Sequence, residues 1–569
     1  MHHVTKRMTQ IILAGCAAAL AGCASTKDED LIVTGQKAQG DEMADATDAA
    51  APPPPPPIAS PAPPPPSSPP PSPVMAQEVM VTAAKRSHAP GHYIPPVVVP
   101  ADPGRERYDG EEVSPVKLVA QEPVSTFSVD VDTGAYANSR RFLTQGMLPP
   151  KDAVRTEEMI NYFRYDYAAP DNKAVPFTVT TGIARTPWNQ NTRLMRIGLR
   201  GYDLPRADRP PANLVFLMDV SGSMNSPDKL PLVKSALSTL AGRLSKNDRV
   251  SIVVYAGAAG LVLEPTNDTA KIRAALDRLS AGGSTAGGAG LQLAYQIARD
   301  NMIEGGVNRV ILATDGDFNV GVSDQGSLVE MIEQERDSGV TLTTLGFGTG
   351  NYNEAMMEQI ANHGNGNYSY IDSALEAEKV LSDEMQSTLF TLAKDVKIQV
   401  EFNPAFVSQY RLLGYENRAL RNEDFNNDKV DAGDIGAGHQ VTAIYEVVSA
   451  GTKGWVDPLR YSETGTRADA TAGELAFVKL RYKLPDEKVS KLIERAVPAA
   501  SLAGAPALTG DFAFAASVAA FGQKLRGDPL LGDFTFGQIA ALAGRQSVYW
   551  RQEYLRLVSV AEGLEQNRP

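Results

Sequence analysis

Between Leu214 and Asp395 short apolar runs alternate with helical segments, and this pattern restricts the chain more than any other feature. The strand signal falls on Leu214–Met218, Val250–Tyr255, Arg309–Ala313, Thr341–Gly346 and Asn367–Tyr370. Helical periodicity falls on Leu230–Leu244, Thr269–Leu279, Gly288–Asn301, Leu328–Ser338, Glu354–Asn362 and Leu375–Ala393. Neighbouring strands can run parallel only when a crossover, usually a helix, returns the chain across one face. The expected unit is therefore α/β, with a central, mostly parallel sheet and helices on both faces. Its first run, Leu-Val-Phe-Leu-Met, is apolar throughout, as a central strand covered on both sides requires.

That run leads straight into Asp219-Val-Ser-Gly-Ser223. Open α/β sheets place ligands outside the carboxyl ends of their strands, and a tight turn at Gly222 lets Asp219, Ser221 and Ser223 converge there. Donors that are all oxygen suit Mg2+, Mn2+ or Ca2+ rather than zinc or copper. A helix N-cap accompanied by turn hydroxyls is the alternative role for the same residues. The segment resembles the DxSxS element of the metal-ion-dependent adhesion site (MIDAS) in von Willebrand factor A-type domains. In that family a threonine from a second loop and an aspartate from a third complete the site. Thr285 in Gly282-Gly-Ser-Thr285 and Asp315 in Thr314-Asp-Gly316 occupy those places. The resemblance implies that Ser221, Ser223 and Thr285 touch the ion, with Asp219 and Asp315 acting directly or through water. Mg2+ is the favoured cation, with Mn2+ and Ca2+ as alternatives. It also implies an exchangeable position that an acidic side chain of a protein partner fills. Asp317 reads as a turn residue beside the site.

The flanks carry a second resemblance. Ser125-Thr-Phe-Ser-Val-Asp-Val-Asp-Thr133, Arg140-Arg-Phe142, Leu148-Pro-Pro150 and Glu157-Glu-Met-Ile-Asn-Tyr-Phe163 look like the N-terminal domain of YfbK-like bacterial lipoproteins. The segment from Asp395 onward looks like the C-terminal domain of that group. Alternation in 125–132 predicts a strand, Asp132 or Thr133 a helix cap, and Ala153–Phe163 a second helix. Asp130 and Asp132 read as capping and turn residues rather than ligands. Phe177–Ile183, Leu194–Leu199, Lys397–Phe402, Val441–Val448 and Leu475–Tyr482 read as strands. From Val489 the chain is Ala-rich and reads as helical. Neither strand group suffices for a core alone, so residues 177–200 and 395–482 are expected to pack together. The α/β unit is then a Rossmann-like domain inserted between β-rich flanking segments, with a helical C-terminal region. The expected divisions are a signal peptide over 1–23, a stalk over 24–112 and an N-terminal associated domain over 113–210. They continue with the A-type domain over 211–394, a β-rich domain over 395–488 and the helical region over 489–569.

Lys6 and Arg7 precede an apolar run from Met8 to Ala21, too short to span a bilayer and read as a signal peptide. Leu20-Ala-Gly-Cys23 resembles the bacterial lipobox, so Cys23 is the expected lipidation site and the membrane contact. Leu13-Ala-Gly-Cys16 fits the same pattern behind a shorter apolar stretch. Both cysteines lie in this leader, so the remaining chain can form no disulfide, Cys-based zinc site or thiol nucleophile. A net charge of −13 gives no basic footprint for nucleic acid. The Pro-rich segment before residue 112 cannot bury enough apolar surface to fold and reads as an extended stalk. Segments 30–37 and 78–86 within it look like the TonB box, an extended peptide that adds a strand to a partner sheet. Together these features predict a lipid-anchored protein of the cell envelope, on the outer membrane, that binds a protein partner through metal and is not an enzyme. The alternatives are a metal-assisted hydrolase, for which Asp317 is the obvious extra acid, and a structural envelope-assembly factor.

Overall fold

The apolar run at Leu214 is the middle of a strand, Ala212–Asp219, in which every residue is buried. In the computed structural model, residues 106–129, 132–172, 174–205, 207–285, 287–316, 325–350, 352–457 and 473–567 are described. The expected signal peptide with Cys23, the part of the expected stalk before residue 106 with segments 30–37 and 78–86, Asp130 and Asp317 lie outside them. Residues 106–112, expected as the end of the stalk, are instead packed on the domain: Arg107 bridges to Asn353 and Glu106 pairs with Arg141 at 2.8 Å.

Before the α/β unit the chain forms β1 (Lys117–Leu118), β2 (Val124–Ser128), α1 (Gly134–Thr144), α2 (Thr156–Asn161), β3 (Phe177–Arg185) and β4 (Thr192–Gly201). The central unit starts with β5 (Ala212–Asp219), α3 (Leu230–Ala241), β6 (Arg249–Tyr255), β7 (Ala259–Thr266), α4 (Thr269–Asp277) and α5 (Gly287–Asp300). It continues with β8 (Val307–Thr314), α6 (Gln325–Asp337), β9 (Thr341–Phe347), α7 (Glu354–His363), β10 (Tyr368–Ile371), α8 (Ala374–Glu378) and α9 (Met385–Leu389). The chain then returns to strands: β11 (Thr391–Phe402), β12 (Val407–Leu412), β13 (Ala419–Leu420), β14 (Ile435–Gly436), β15 (Gln440–Ser449), β16 (Glu474–Lys483) and β17 (Lys491–Pro498). Four helices follow: α10 (Ala500–Ala503), α11 (Gly510–Arg526), α12 (Phe536–Ala543) and α13 (Tyr549–Gln566).

The central sheet runs β10-β9-β8-β5-β6-β7 and is parallel except for the edge hairpin partner β7. Alternate residues of β5 feed two cores. Leu214, Phe216 and Met218 pack with α3, while Val215 and Leu217 pack with α5, so both faces are covered by helices.

Two antiparallel sheets, β1-β12-β15-β4-β3 and β13-β2-β11-β16-β17, make the flanking module. Each mixes strands from both sides of the insertion. β4 pairs with β15 from Thr192↔Val448 to Arg200↔Gln440, and β2 pairs with β11 from Val124↔Glu401 to Ser128↔Lys397. Phe127, Val400 and Val478 of one sheet share a core with Ile197, Ala443 and Tyr445 of the other. The outer face of the first sheet, through Leu194 and Ile444, receives α11, α12 and α13. The expected insertion of an α/β domain between packed β segments is thus the observed architecture.

Four further expectations change. The helix expected over Leu375–Ala393 breaks into α8, a π-helical stretch over Lys379–Asp383, and α9. Its last residues start β11, because Thr391 and Ala393 pair with Gly436 and Ile435, and tertiary pairing overrides local helix propensity. The segment after Val489 begins with β17 rather than a helix. Its charges at Lys491, Glu494 and Arg495 mark an exposed edge strand on β16. The helix expected over Ala153–Phe163 is a 3-10 turn at Lys151–Ala153 followed by the shorter α2. Of the two expected caps Thr133, rather than Asp132, stands at the N-cap of α1, with no side-chain capping bond, while the Asp132 carboxylate accepts the Tyr368 N–H of β10 at 2.8 Å and pairs with Arg418 at 2.9 Å.

Candidate metal centre

Asp219 ends β5 and is completely buried. Its Oδ1 accepts the Ser221 N–H at 2.8 Å, which folds the chain back at the strand end. Its Oδ2 accepts the hydroxyls of Tyr255 at 3.2 Å and Thr314 at 3.1 Å. One carboxylate therefore ties together the carboxyl ends of β5, β6 and β8. Burial raises the Asp219 carboxyl above the usual carboxylate range, and the charge of Asp315 adds to that; the Ser221 and Thr314 donors oppose it.

Two residues on, the Ser221 and Ser223 hydroxyls lie 3.0 Å apart, the first buried and the second exposed. The second loop sits directly against them, since the Gly222 N–H donates to the Gly283 carbonyl at 3.0 Å and the Gly282 N–H to the Val220 carbonyl at 2.8 Å. Thr285, half-buried, lies two residues beyond Gly283 on that loop. Asp315 follows Thr314 at the end of β8 and is also buried. Both aspartates and both serines thus stand at one rim of the sheet, with the Thr285 loop hydrogen-bonded to the first of the three loops.

Sequence reasoning missed three groups at this rim. Tyr255 and Thr314 hold Asp219, and Lys229, just before α3, places its ammonium 2.9 Å from Asp315 Oδ2 in a buried ion pair. Lys229 can reach because Gly348 has no side chain: a Cβ there would come within 2.3 Å of Lys229 Cε. Gly348 also adopts φ +73°, a backbone conformation that favours glycine. The Asp-Lys-Leu sequence ahead of α3 gives no hint of this contact, whereas Tyr255 could have been found at the end of a strand adjacent to β5.

The donor set passes a chemical test for a divalent cation. Two carboxylates face one lysine, which leaves an excess of negative charge, and the remaining groups are neutral hydroxyl oxygens of the kind hard cations take. No cysteine or histidine stands in these loops. Among the described residues no three His, Cys, Asp or Glu cluster so as to hold a metal ion, and this rim itself brings together two carboxylates, so hydroxyl oxygens would have to supply the remaining donors.

A second polar constellation joins this domain to its flank. Arg140 of α1 pairs with Asp372 at 2.5 Å, Glu376 at 2.8 Å and Glu553 at 3.0 Å, and the Tyr162 hydroxyl donates to Glu376 at 2.5 Å. Nearby, Arg155 pairs with Glu358 at 2.8 Å, and Arg418 pairs with both Asp132 and Glu358 at 2.9 Å. Burial and surrounding acids raise the carboxyls of Glu158 and Glu354. These groups bind elements together.

A six-stranded sheet with this rim defines an A-type domain, and residues 213–384 match the family described as "von Willebrand factor type A domain". Residues 102–196 match the family "von Willebrand factor", and 387–564 match "Uncharacterized protein YfbK, C-terminal". The Escherichia coli (strain K12) protein "Uncharacterized protein YfbK" is 49% identical over 478 residues, 82% of this chain and 82% of that one. The chain belongs to the YfbK family. "Uncharacterized protein sll0103" of Synechocystis sp. is 34% identical over 196 residues, 34% of this chain and 45% of that protein. A solved structure, "von Willebrand factor type A from Catenulispora acidiphila", covers 71% of this chain and 89% of its own at 17% identity, with a TM-score of 0.37.

Proposed function

We propose that this chain is a membrane-anchored, metal-dependent protein-binding module of the bacterial cell envelope. The observation that carries the reading is the grip on Asp219, which draws three strand ends together beneath a pair of serine hydroxyls, one of them open to solvent. Ser221, Ser223 and Thr285 would hold the ion, with Asp219 and Asp315 balancing its charge directly or through water. Mg2+ is the favoured cation, with Mn2+ and Ca2+ as alternatives. Bound there, it supplies a Lewis-acidic coordination position for an outside carboxylate. The chain's own part is to fix the oxygens before any partner arrives, since preorganised groups cost less to order on binding.

The anchor in this reading is lipid on Cys23, at the outer membrane, and the Pro-rich stalk carries the domain away from the bilayer. Segments 30–37 and 78–86 would offer a TonB-like strand-adding contact. Capture of an envelope partner by the immobilised chain tests the function. We expect capture in Mg2+, loss in chelator, recovery on adding Mg2+ back, and no capture by Asp219→Ala. Equal capture in all four conditions contradicts the reading and leaves the structural-assembly alternative. The hydrolase alternative has a specific requirement, a general base within reach of a metal-bound water. His363 does not meet it, because it ends α7 beside Gly364, whose carbonyl accepts the Leu342 N–H at the start of β9, and so lies at the opposite end of the strands from Asp219.

A further inference from the structure

At the opposite rim, where the parallel strands begin, a cleft of about 420 Å3 separates the A-type domain from the β module. That volume lies within the ~300–1,000 Å3 usual for small-molecule sites. One wall is Arg309, the third residue of β8, five residues before Thr314 and hence about 16 Å away along the strand. Its side chain is only 4% exposed. Nε donates to the Thr341 hydroxyl at 2.8 Å, and Nη1 donates to the Thr343 hydroxyl at 3.3 Å and the Thr388 carbonyl at 2.5 Å. All three partners are neutral. Among the described residues no carboxylate forms an ion pair with Arg309, and Nη2 has no hydrogen-bond partner.

A buried guanidinium without an anion is costly, and burial accordingly pulls Arg309 down to about 10. The other charges lining the cleft do not supply the missing anion. Arg336 pairs with Asp431, Arg418 with Asp132 and Glu358, and Glu333 with His363. Asp434 is the acid whose field reaches Arg309, but burial pushes it up to about 7, so it carries only part of a charge near neutrality. Lys429 stands exposed at the cleft and adds positive charge. Much of the remaining lining is amide and hydroxyl, including Asn362, Asn365, Asn367, Asn417, Ser387 and Thr391.

We infer that this cleft binds a small, hydroxyl-rich organic anion, whose carboxylate or phosphate meets the free Nη2 edge of Arg309 while the amides and hydroxyls hold the rest. An acidic sugar or a sugar phosphate has this chemistry. The ligand would touch the A-type domain through Arg309 and the β module through the 429–436 loop, so it would bridge the two without involving Asp219.

Calorimetric titration of the whole chain with sodium glucuronate, glucose 6-phosphate and inorganic phosphate, against glucose and matched sodium chloride, tests the site. At least one of the two organic anions is expected to bind, and which one does tells carboxylate from phosphate. Arg309→Gln is expected to weaken binding at least roughly tenfold, the loss of a charge-assisted hydrogen bond, whereas Asp219→Ala leaves it unchanged. Because Arg309 is buried, the exposed Lys429→Glu serves as a fold-neutral second variant and is expected to weaken binding at least about threefold. The inference is overturned if neither organic anion binds below about 10 mM. It is equally overturned if Lys429→Glu, or folded Arg309→Gln, binds as tightly as the unaltered chain.

Discussion

Asp219 and Glu354 are both buried carboxylates, yet their surroundings differ. Asp219 accepts three good hydrogen bonds and has its counter-charge to gain from a cation. Glu354 is wholly buried, accepts only a long bond from Tyr368 at 3.4 Å, and leaves Oε2 without a partner among the described residues. Burial raises its carboxyl, so the folded state holds that proton over a pH range in which the unfolded chain releases it. The stability it contributes is complete below the ordinary glutamate range and is lost as pH rises through the raised value. Glu354→Gln is therefore expected to raise the unfolding free energy by ~1–2 kcal/mol at pH 9 and to change little at pH 5, measured by urea denaturation at both. Lys229 supports a second expectation. Its ammonium competes with any divalent ion for Asp315, so Lys229→Met should tighten Mn2+ binding roughly tenfold and lower the melting temperature of the metal-free protein. Unchanged affinity would show that the lysine and the ion do not share Asp315.

Among the elements, α1 has the greatest consequence. Arg140 holds Asp372 and Glu376 of the A-type domain together with Glu553 of α13, so one guanidinium joins three segments distant in sequence. Arg140→Met would leave those acids buried without their partner, and a loss of ~3–5 kcal/mol in unfolding free energy is expected. A cost below about 1 kcal/mol, the range of exposed pairs, would contradict this role. The turn between β14 and β15 carries His439, whose Nδ1 is buried and unpartnered among the described residues. Burial and the charge of Arg164 pull it down to about 4. Its stabilising contribution is present above the ordinary histidine range and lost as pH falls toward 4, so His439→Gln should flatten the acid limb of the stability profile by ~2–3 kcal/mol.

These elements also show where sequence is informative. β5 was legible because a strand covered on both faces is apolar throughout, and β11, β15 and β16 because their alternation is clear. β7 and β12 were missed, and β17 was read as helix, since edge and hairpin strands carry mixed or charged sequences whose strand character comes from pairing. That Asp219, Ser221, Ser223 and Asp315 gather at the strand ends of β5 and β8 was legible from motif and order. The roles of Lys229 and Arg309 were not, because each acts through a contact between elements rather than through spacing along the chain, whereas Tyr255 could have been found as the last residue of an expected strand beside β5.

Across the whole molecule, the decisive property is that both β sheets interleave strands from before and after the insertion. Neither half can complete a sheet alone. A fragment of residues 106–390 would leave β2 and β4 with open edges and is expected to aggregate, while adding residues 391–567 in trans should restore a soluble complex on gel filtration. A monomeric fragment with cooperative unfolding would contradict that. The same interleaving gives the rim at Asp219 a fixed base, because the inserted domain is held at both ends by paired strands and by the Arg140 pairs. The central claim remains that oxygens from separate loops hold one divalent cation at the end of β5. It is tested most directly by calorimetric titration of the whole chain with Mn2+ and Mg2+ beside Asp219→Ala and Ser221→Ala. A single saturable site that weakens at least roughly a hundredfold in both variants is predicted. Binding that is absent from the unaltered chain, or equal in all three proteins, would contradict it.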